Sequence, residues 1–345
     1  MRLSVIIPVR NGREVLPSCL AALARSTRRA DEVVVVDDSS SDDSTSIAHA
    51  HEALVLVTTQ GPRGPAWARN RGVELTTGDV LVFVDADVIV HEDTLARMAA
   101  TFEQDSTVQA LFGSYDASPP APGVASRFKN LLHHYVHQHG QREASSFWAG
   151  CGAIRREAFR AVGGFDEAYA QPSVEDIELG LRLSRARLSI RLCPEIQATH
   201  LKRWTLANLW RTDIFARAVP WTRLLLRERH LPNDLNLGWR SRLGALCVWT
   251  ATALLVGGAA LLALEGLVLA GWAALGATAC LAASTLLEAN LHRFFFRHGG
   301  LCFAAGAWLL HHVYLLYSSA VFAGLVLTHA PQRGLAGRTT KRGAF

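Results

Sequence analysis

The chain has 345 residues, of which 50% are hydrophobic, with 35 Lys and Arg against 30 Asp and Glu. This length allows one large or two ordinary domains, each with a substantial core. The small positive excess is almost all Arg and lacks the interleaved aromatic and basic residues of nucleic-acid-binding surfaces, so no nucleic-acid partner is expected. Six scattered cysteines without a C-x-x-C pair argue against a cysteine zinc site and a disulfide framework.

The first third of the chain alternates between predicted strands and helices. The apolar patterns predict strands at Leu3–Val9, Glu32–Asp38, Ala53–Thr58, Val80–Asp85 and Val108–Tyr115, and helices at Glu14–Ala24, before His51, at Pro65–Thr76 and at His91–Glu103. This alternation predicts an α/β fold with a doubly wound, mostly parallel sheet. Because the chain enters a strand without a basic and then apolar leader, no cleaved signal is expected and the catalytic part is predicted to be cytoplasmic.

The fourth predicted strand ends on two carboxylates. Five consecutive apolar residues, Val80–Val84, indicate a strand that is buried on both faces, and Asp85 and Asp87 follow at the edge where such sheets bind ligands. If the extended conformation continues through Ala86, the two side chains point the same way. Paired oxygen ligands suit Mg²⁺ or Mn²⁺, which substrate phosphates usually complete. A strand end with a helix cap is the alternative for this motif alone.

Two further groups are predicted at the same edge. The acidic residues at the end of the second strand, Asp37-Asp38, can accept hydrogen bonds from a nucleobase or ribose. The glycine fingerprint of dinucleotide folds is missing after the first strand, which disfavours NAD. Arg69 and Arg71 can meet a phosphate as a planar fork, although a solvated helix face explains them equally.

A Pro-rich segment, residues 118–123, separates residues 1–117 from residues 118–204. The second stretch contains the pair Glu175 and Asp176 before an apolar helical pattern. Acidic residues there favour the helix dipole, but the pair can equally supply a general base for an acceptor hydroxyl. Four histidines precede this pair at positions 133, 134, 137 and 139, but no carboxylate or cysteine completes a metal set with them, so a solvated helix is favoured.

Three long apolar runs dominate the rest of the chain. Leu243–Leu264 and Leu267–Leu287 contain no charged residue, and each can cross a bilayer core of ~30 Å. The third run, Leu301–Leu327, contains His311 and His312. Buried core helices are the alternative, but the runs predict a membrane region of two or three helices over residues 243–328, followed by a basic tail over residues 329–345.

The segment that precedes these runs, residues 205–242, is predicted to be an amphipathic interfacial helix. Its apolar face is formed by Leu206, Trp210, Ile214, Trp221 and Leu225. Around it lie arginines that suit anionic headgroups or phosphorylated substrates, namely Arg211, Arg217, Arg223, Arg227, Arg229, Arg240 and Arg242. Packing against the globular part of the chain is the alternative.

The order of these motifs closely resembles the family 2 inverting glycosyltransferases of GT-A fold, over roughly residues 2–204. The resemblance is carried by Ser4-Val-Ile-Ile-Pro8-Val-Arg-Asn11, Asp37-Asp38, Ala68-Arg-Asn-Arg-Gly72, Asp85-Ala-Asp87, Trp148-Ala-Gly-Cys-Gly-Ala-Ile-Arg-Arg-Glu157, Gly163-Gly-Phe-Asp166 and Glu175-Asp-Ile-Glu178. Each motif is weak alone, but their order is specific. The resemblance implies a nucleotide-sugar-binding half at residues 1–117 and an acceptor and catalytic half at residues 118–204.

The resemblance also implies a role for each site residue. Donor contacts fall on Pro8, Asp38, Arg69 and Asp85, the metal on Asp87 and His200, and the catalytic base on Asp176. The acceptor or phosphate region is implied at Trp148, Gly150, Glu175, Arg203 and Trp204. His200-Leu-Lys-Arg203-Trp204 is similar to the family's Gln-x-x-Arg-Trp motif with His in the first position, and Ser39 replaces the usual Gly after Asp38.

The expected protein is therefore an inverting, metal-dependent hexosyltransferase in the inner membrane that contributes to a cell-envelope glycan. It is expected to use a UDP- or GDP-linked sugar, Mg²⁺ or Mn²⁺, and a lipid-linked or polysaccharide acceptor. A processive polysaccharide synthase and a non-catalytic nucleotide-sugar-binding scaffold are the alternatives. Three full spans would place Arg333, Arg338, Lys341 and Arg342 opposite the catalytic domain, against the positive-inside tendency, so the third run is predicted to re-enter.

Overall fold

A computed structural model describes residues 1–58, 60–228, 238–264 and 266–339, with side chains up to residue 328. The chain divides into two compact units, Met1–Thr205 and Leu206–Phe345. Parts of the predicted interfacial segment, including Arg229, and the side chains of the predicted basic tail lie outside the described residues.

The N-terminal unit is built on one mixed sheet of eight strands, in the order β3-β2-β1-β4-β7-β6-β8-β5. The strands are β1 Leu3–Val9, β2 Glu32–Asp37, β3 Leu54–Val57, β4 Val80–Val84, β5 Val88–Val90, β6 Val108–Tyr115, β7 Cys151–Arg155 and β8 Ser189–His200. Strands β3, β2, β1 and β4 run parallel, as expected from the alternation of strands and helices. The predicted α/β fold with a mostly parallel sheet is confirmed.

Helices cover both faces of this sheet, because its strands are apolar on both sides. They are α1 Leu16–Ala24, α2 Ser44–Ala50, α3 Pro65–Glu74, α4 Thr94–Gln104, α5 Val124–His139, α6 Arg156–Ala161 and α7 Glu175–Arg185. One core cluster contains Val5, Ile7 and Leu16, and a second, on the opposite face, contains Ile6, Phe83 and Leu179. The alternation of Val5, Ile6 and Ile7 between these clusters follows the two-residue period of a strand.

Three strands, β5, β7 and β8, were not predicted, and their pairing positions the site. Strand β7 runs antiparallel to β4, with Val84 opposite Cys151. Strand β5 pairs antiparallel with the end of β8, with Val88 opposite His200. This pairing places Asp87, one residue before β5, beside His200, although the two are far apart in sequence.

In the described part of the C-terminal unit, all regular secondary structure is helical. It begins with α8 Leu206–Arg211, a π-helical turn Thr212–Ala218, and α9 Val219–Glu228. Three long helices follow: α10 Trp239–Ala263, α11 Leu267–Leu287 and α12 Ala289–Thr339. All three are long and apolar enough to cross a membrane.

The predicted interfacial segment has one side packed within this unit and another side exposed. Asp213 is buried and accepts a hydrogen bond from the Tyr317 hydroxyl of α12 at 2.7 Å. Large apolar side chains remain on the surface, with Trp210 40% and Phe215 70% exposed. The π-helical turn lies just before Pro220, which has no N–H to donate back along the helix. Exposed apolar side chains are what an interfacial helix requires, and lipid contact stays a prediction.

Helix α12 is interrupted at Gly300, whose φ of +69° and ψ of −172° lie outside helical values. The predicted third apolar run begins immediately after this break, and the helix continues without another through His311 and His312. The interruption therefore precedes the predicted re-entrant run. Re-entry of that run into a bilayer stays a prediction.

Candidate functional site

The carboxyl end of β4 turns sharply at the predicted acidic motif. Residues 85–87 leave the extended conformation, and the Val88 N–H donates to the Asp85 carbonyl at 3.0 Å. The condition for parallel side chains, an extended conformation through Ala86, is therefore not met. The turn sends the two carboxylates to different partners, Asp85 to an arginine and Asp87 to a histidine.

Asp85 belongs to a buried ionic cluster centred on Arg69. The guanidinium of Arg69 donates through Nη2 to Asp85 Oδ1 at 2.7 Å and through Nη1 to Glu175 Oε1 at 2.9 Å. Arg69 is only 4% exposed and also lies 5.4 Å over the Phe165 ring. Since both terminal nitrogens contact carboxylates, Arg69 joins the end of β4 to the start of α7 in this state. The predicted phosphate contact of Arg69 stays a prediction.

Asp176 lies at the first turn of α7, next to this cluster. Its Oδ2 accepts the Ala149 N–H at 3.1 Å and its Oδ1 accepts the Ile177 N–H at 2.8 Å. Burial and the negative charge of Glu175 raise the pKa of Asp176 to about 7, against the opposing effects of Arg69 and the two N–H donors. A carboxylate with such a pKa can hold or release a proton near neutral pH.

Asp87 and His200 form the second predicted pair, with Asp87 Oδ2 3.4 Å from His200 Nε2. On its other side, His200 Nδ1 lies 2.7 Å from Asn130 Oδ1, an acceptor, so this nitrogen carries the proton. Burial opposes ionisation of Asp87, but His200 and Lys202 more than offset it and lower the pKa of this carboxyl. A cation that binds between Asp87 Oδ2 and His200 Nε2 would have to replace the contact between these two atoms.

This arrangement fits a divalent ion. A carboxylate oxygen and an imidazole nitrogen suit Mn²⁺, and carboxylate oxygens suit Mg²⁺. Among the described residues, no group of three or more His, Cys, Asp or Glu side chains could hold a metal ion. Protein ligands alone therefore do not complete a metal shell here, and phosphate oxygens of a substrate would have to contribute.

The predicted nucleotide side is organised around Asp38. Its carboxylate accepts the backbone N–H groups of Arg63 at 2.8 Å and Gly64 at 2.7 Å. Ser39 has a φ of +61°, a conformation that favours glycine, and its hydroxyl donates to the Thr58 carbonyl at 2.9 Å. The loop that contains Arg63 is thus held to the end of β2. Pro8 lies on the adjacent strand β1, opposite Val36.

The predicted acceptor residues fall into two groups. Trp148 packs edge-on against Tyr115 with centroids 4.6 Å apart, and Gly150 accepts the Asp85 N–H at 3.2 Å. A Cβ at Gly150 would lie 2.7 Å from the Trp148 ring, so this close approach requires glycine. Trp204 is instead held to α5, where its N–H donates to Ser126 Oγ at 2.9 Å.

The described contacts therefore join most of the predicted site, since the Asp85–Arg69–Glu175 cluster adjoins Asp176. Tyr115 links Trp148 to His200, on which it stacks at 4.2 Å with the ring planes 6° apart. The side chain of Arg203 is exposed, and its role in the acceptor region stays a prediction.

Two residues that support His200 were missed from the sequence. Asn130, 1% exposed, accepts from His200 and donates from Nδ2 to the Lys202 carbonyl at 3.2 Å, which fixes the orientation of the amide. Tyr115 provides the stacking surface. The sequence offered one weak signal, a polar residue among the apolar positions of α5, which alone does not identify its partner.

Comparison with known families gives two matches. Residues 4–163 match the family model described as glycosyl transferase family 2, and residues 130–204 match the one described as N-terminal domain of galactosyltransferase. Among curated proteins, a PGL/p-HBAD biosynthesis glycosyltransferase of Mycobacterium tuberculosis is 37% identical over 115 residues, 32% of this chain and 45% of that protein. A pre-mycofactocin glycosyltransferase of the same species is 29% identical over 213 residues, 59% of this chain and 44% of that protein. The chain thus spans less than half the length of either relative.

Solved structures show the same fold. The mannosyltransferase PcManGT of Pyrobaculum calidifontis, in complex with GDP-Man and Mn²⁺, superposes with a TM-score of 0.57 at 19% identity over 93% of this chain and 87% of that one. The S. aureus protein TarS 1-349, in complex with UDP-GlcNAc, gives a TM-score of 0.50 at 19% identity over 65% and 64% of the two chains. At these identities the similarity concerns the fold alone.

Proposed function

Since this chain belongs, through its N-terminal unit, to the family 2 glycosyltransferases of GT-A fold, we propose that it transfers a sugar from a nucleotide-sugar donor to a lipid-linked or membrane-proximal acceptor. The reaction would invert the anomeric centre in one displacement. The observation that carries this proposal is the position of Asp176, a carboxylate with a raised pKa at the start of α7, beside the Asp85–Arg69–Glu175 cluster.

In this proposal Asp176 is the general base. The N–H groups of Ala149 and Ile177 fix the carboxylate, so one oxygen faces a defined direction when the acceptor hydroxyl arrives. Asp176 takes the hydroxyl proton as the acceptor oxygen attacks the anomeric carbon. The carboxylate of Glu175 stays paired with Arg69, which leaves Asp176 as the group that changes its protonation.

Asp87 and His200 would hold a Mg²⁺ or Mn²⁺ ion next to the donor. Such an ion, when bound, neutralises the charge that develops on the departing diphosphate. The residues of the chain position it: Asn130 orients the His200 ring, and Tyr115 prevents the ring from tilting. Asp38, Pro8 and the loop at Gly64 would contact the nucleotide.

The proposed acceptor class follows from the C-terminal unit. Three helices of sufficient length and apolarity to span a membrane, with exposed apolar side chains in the segment before them, favour an acceptor that resides in or at a membrane. A multi-pass enzyme of the inner membrane with a cytoplasmic catalytic domain is proposed. A processive synthase, the alternative, would share the catalytic residues.

One experiment separates these possibilities. Purified protein would be incubated with lipid extracts and a panel of UDP- and GDP-sugars, and the products measured by mass spectrometry. We expect a lipid product that is heavier by one sugar. A ladder of products would indicate the processive synthase, and neither product nor donor hydrolysis would indicate the scaffold.

The pH dependence of the reaction is the first test of the base. We expect kcat/KM to rise with pH through about 7, because Asp176 accepts a proton only in its ionised form and its pKa is raised to about 7. Glu175→Gln removes a negative charge that raises the pKa of Asp176. It also leaves Arg69 with one carboxylate partner fewer, so more of its positive charge acts on Asp176. The rising limb should therefore move to lower pH in this variant. Glu157→Gln, at an exposed position of α6, is the control and should leave the profile unchanged. If the pH profile of Glu175→Gln were unshifted, the rising limb would not be due to Asp176.

Removal of the C-terminal unit tests the membrane acceptor. A chain that ends at Thr205 keeps Asp38, Asp87 and Asp176, so donor binding measured by calorimetry should persist. Transfer to acceptors in membrane vesicles should fall strongly, because the helices that would hold the enzyme at the bilayer are missing. Donor hydrolysis in water serves as the control for an intact site. Undiminished transfer to vesicle acceptors would contradict the proposed membrane role.

A further inference from the structure

The break in α12 makes this element a helical hairpin. His292 precedes Gly300 and His311 follows it, 19 residues later. In a straight helix such residues are about 28 Å apart. Their ring centroids here lie 5.6 Å apart, and Phe295 likewise contacts Phe303 at 6.0 Å. The chain thus reverses at Gly300, and the short arm before it packs against the long arm after it.

This reversal brings three histidines into contact. The ring of His292 lies 5.6 Å from that of His311 and 5.8 Å from that of His312, and the last two rings are 6.1 Å apart. His311 and His312 are each only 4% exposed. Three imidazoles therefore meet between the two arms of the hairpin.

Most of their ring nitrogens have no hydrogen-bond partner among the described residues. Five nitrogens are buried and unpaired within the described part of the chain: both of His292, both of His311, and Nε2 of His312. His312 Nδ1 lies 2.8 Å from the Trp308 carbonyl, so it carries the proton and leaves Nε2 as a lone pair. A buried polar atom without a partner is unfavourable, so this cluster calls for a ligand.

We propose that His292, His311 and His312 bind one transition-metal ion of the Zn²⁺ class, with a water as the fourth ligand. Neutral imidazole nitrogens suit Zn²⁺, whereas Mg²⁺ prefers oxygen. With Zn–N bonds of about 2.0–2.1 Å, three rings around one tetrahedral ion have centroids roughly 5 to 6 Å apart. The observed separations lie close to this range.

The proposed site needs a side-chain adjustment. Among the described residues, no three such side chains are already grouped in a way that could hold a metal. Rotation of the rings about their side-chain bonds would turn one nitrogen of each toward a common point. The Trp308 carbonyl already holds His312 in a ligating tautomer, as hydrogen bonds to zinc-binding histidines usually do. The ion would tie the short arm of the hairpin to the long arm, so its role would be structural.

The test measures zinc directly. Full-length, tag-free protein in detergent would carry Asp87→Ala, so that the proposed catalytic metal site does not add to the count. After dialysis against buffered Zn²⁺, the metal content would be measured by mass spectrometry, and the visible spectrum recorded after Co²⁺ is substituted. We expect one zinc per chain, a tetrahedral Co²⁺ spectrum and a melting temperature that rises with Zn²⁺.

Matched variants locate the ion. His311→Asn should weaken zinc binding roughly 100-fold or more and remove the thermal shift, because it deletes one of three ligands. His298→Asn is the control, since His298 lies on the same hairpin but is exposed and contacts the Phe294 carbonyl. Two results would overturn the proposal. The first is that the protein with all three histidines binds no zinc, and the second is equal zinc content in the His311→Asn and His298→Asn proteins. The first result needs no variant of the cluster to fold.

Discussion

Asp176→Asn should reduce the turnover of sugar transfer by ~10²–10⁴, the usual contribution of a positioned general base. The substitution keeps the size of the side chain, and the amide oxygen can still accept one of the N–H groups of Ala149 and Ile177. What it removes is the group that takes the acceptor proton. Donor affinity measured by titration calorimetry should therefore change little while kcat falls.

Glu178→Gln is a useful companion to this variant. Glu178 lies on the same helix, is buried and bonds Arg182, yet it belongs to no part of the proposed base. Glu178→Gln should lower the stability of the protein more than it lowers the turnover. If Asp176→Asn abolished donor binding instead, Asp176 would be a binding residue and the proton would have to pass to another group. Equal losses of turnover in both variants would point to a general disturbance of α7.

The sheet was predictable in its parallel half because each strand there is a short apolar run followed by polar residues. Strands β1 and β6 have the predicted bounds, Leu3–Val9 and Val108–Tyr115. Strand β8 escaped prediction because Ser189–His200 mixes Arg, Glu and Pro with apolar residues, and β5 has three residues only. Such strands are specified by their neighbours in the sheet and not by their own pattern.

The site shows the same division between local and distant information. The positions of Asp85 and Asp176 follow from local patterns, a strand end and a helix start. The contact between Asp87 and His200 depends on the pairing of β5 with β8, and the support from Asn130 depends on the packing of α5. The turn at Ala86 was not predictable from the sequence either. Asp85, at its start, donates its N–H to the carbonyl of Gly150, the residue before β7, which is distant in the sequence.

Asp87→Ala should abolish almost all transfer. The variant removes the carboxylate that faces His200 Nε2 at 3.4 Å and with it the oxygen ligand of the proposed ion. A loss of about 4 kcal/mol of charge stabilisation on the leaving diphosphate corresponds to a rate reduced roughly 10³-fold. Chelator should stop the wild-type enzyme in the same way, and added Mn²⁺ or Mg²⁺ should restore it.

The identity of the metal gives this prediction a second measurement. Because the pair combines a carboxylate with an imidazole nitrogen, the wild-type enzyme should bind Mn²⁺ more tightly than Mg²⁺. His200→Ala deletes the nitrogen and should narrow this preference, whereas Asp93→Asn, at an exposed surface pair with Arg97, should leave both affinities as they are. Mn²⁺ titrations followed by electron paramagnetic resonance report the affinities without any turnover. Full activity in chelator, or Mn²⁺ affinities unchanged by both Asp87→Ala and His200→Ala, would rule out a metal at this site.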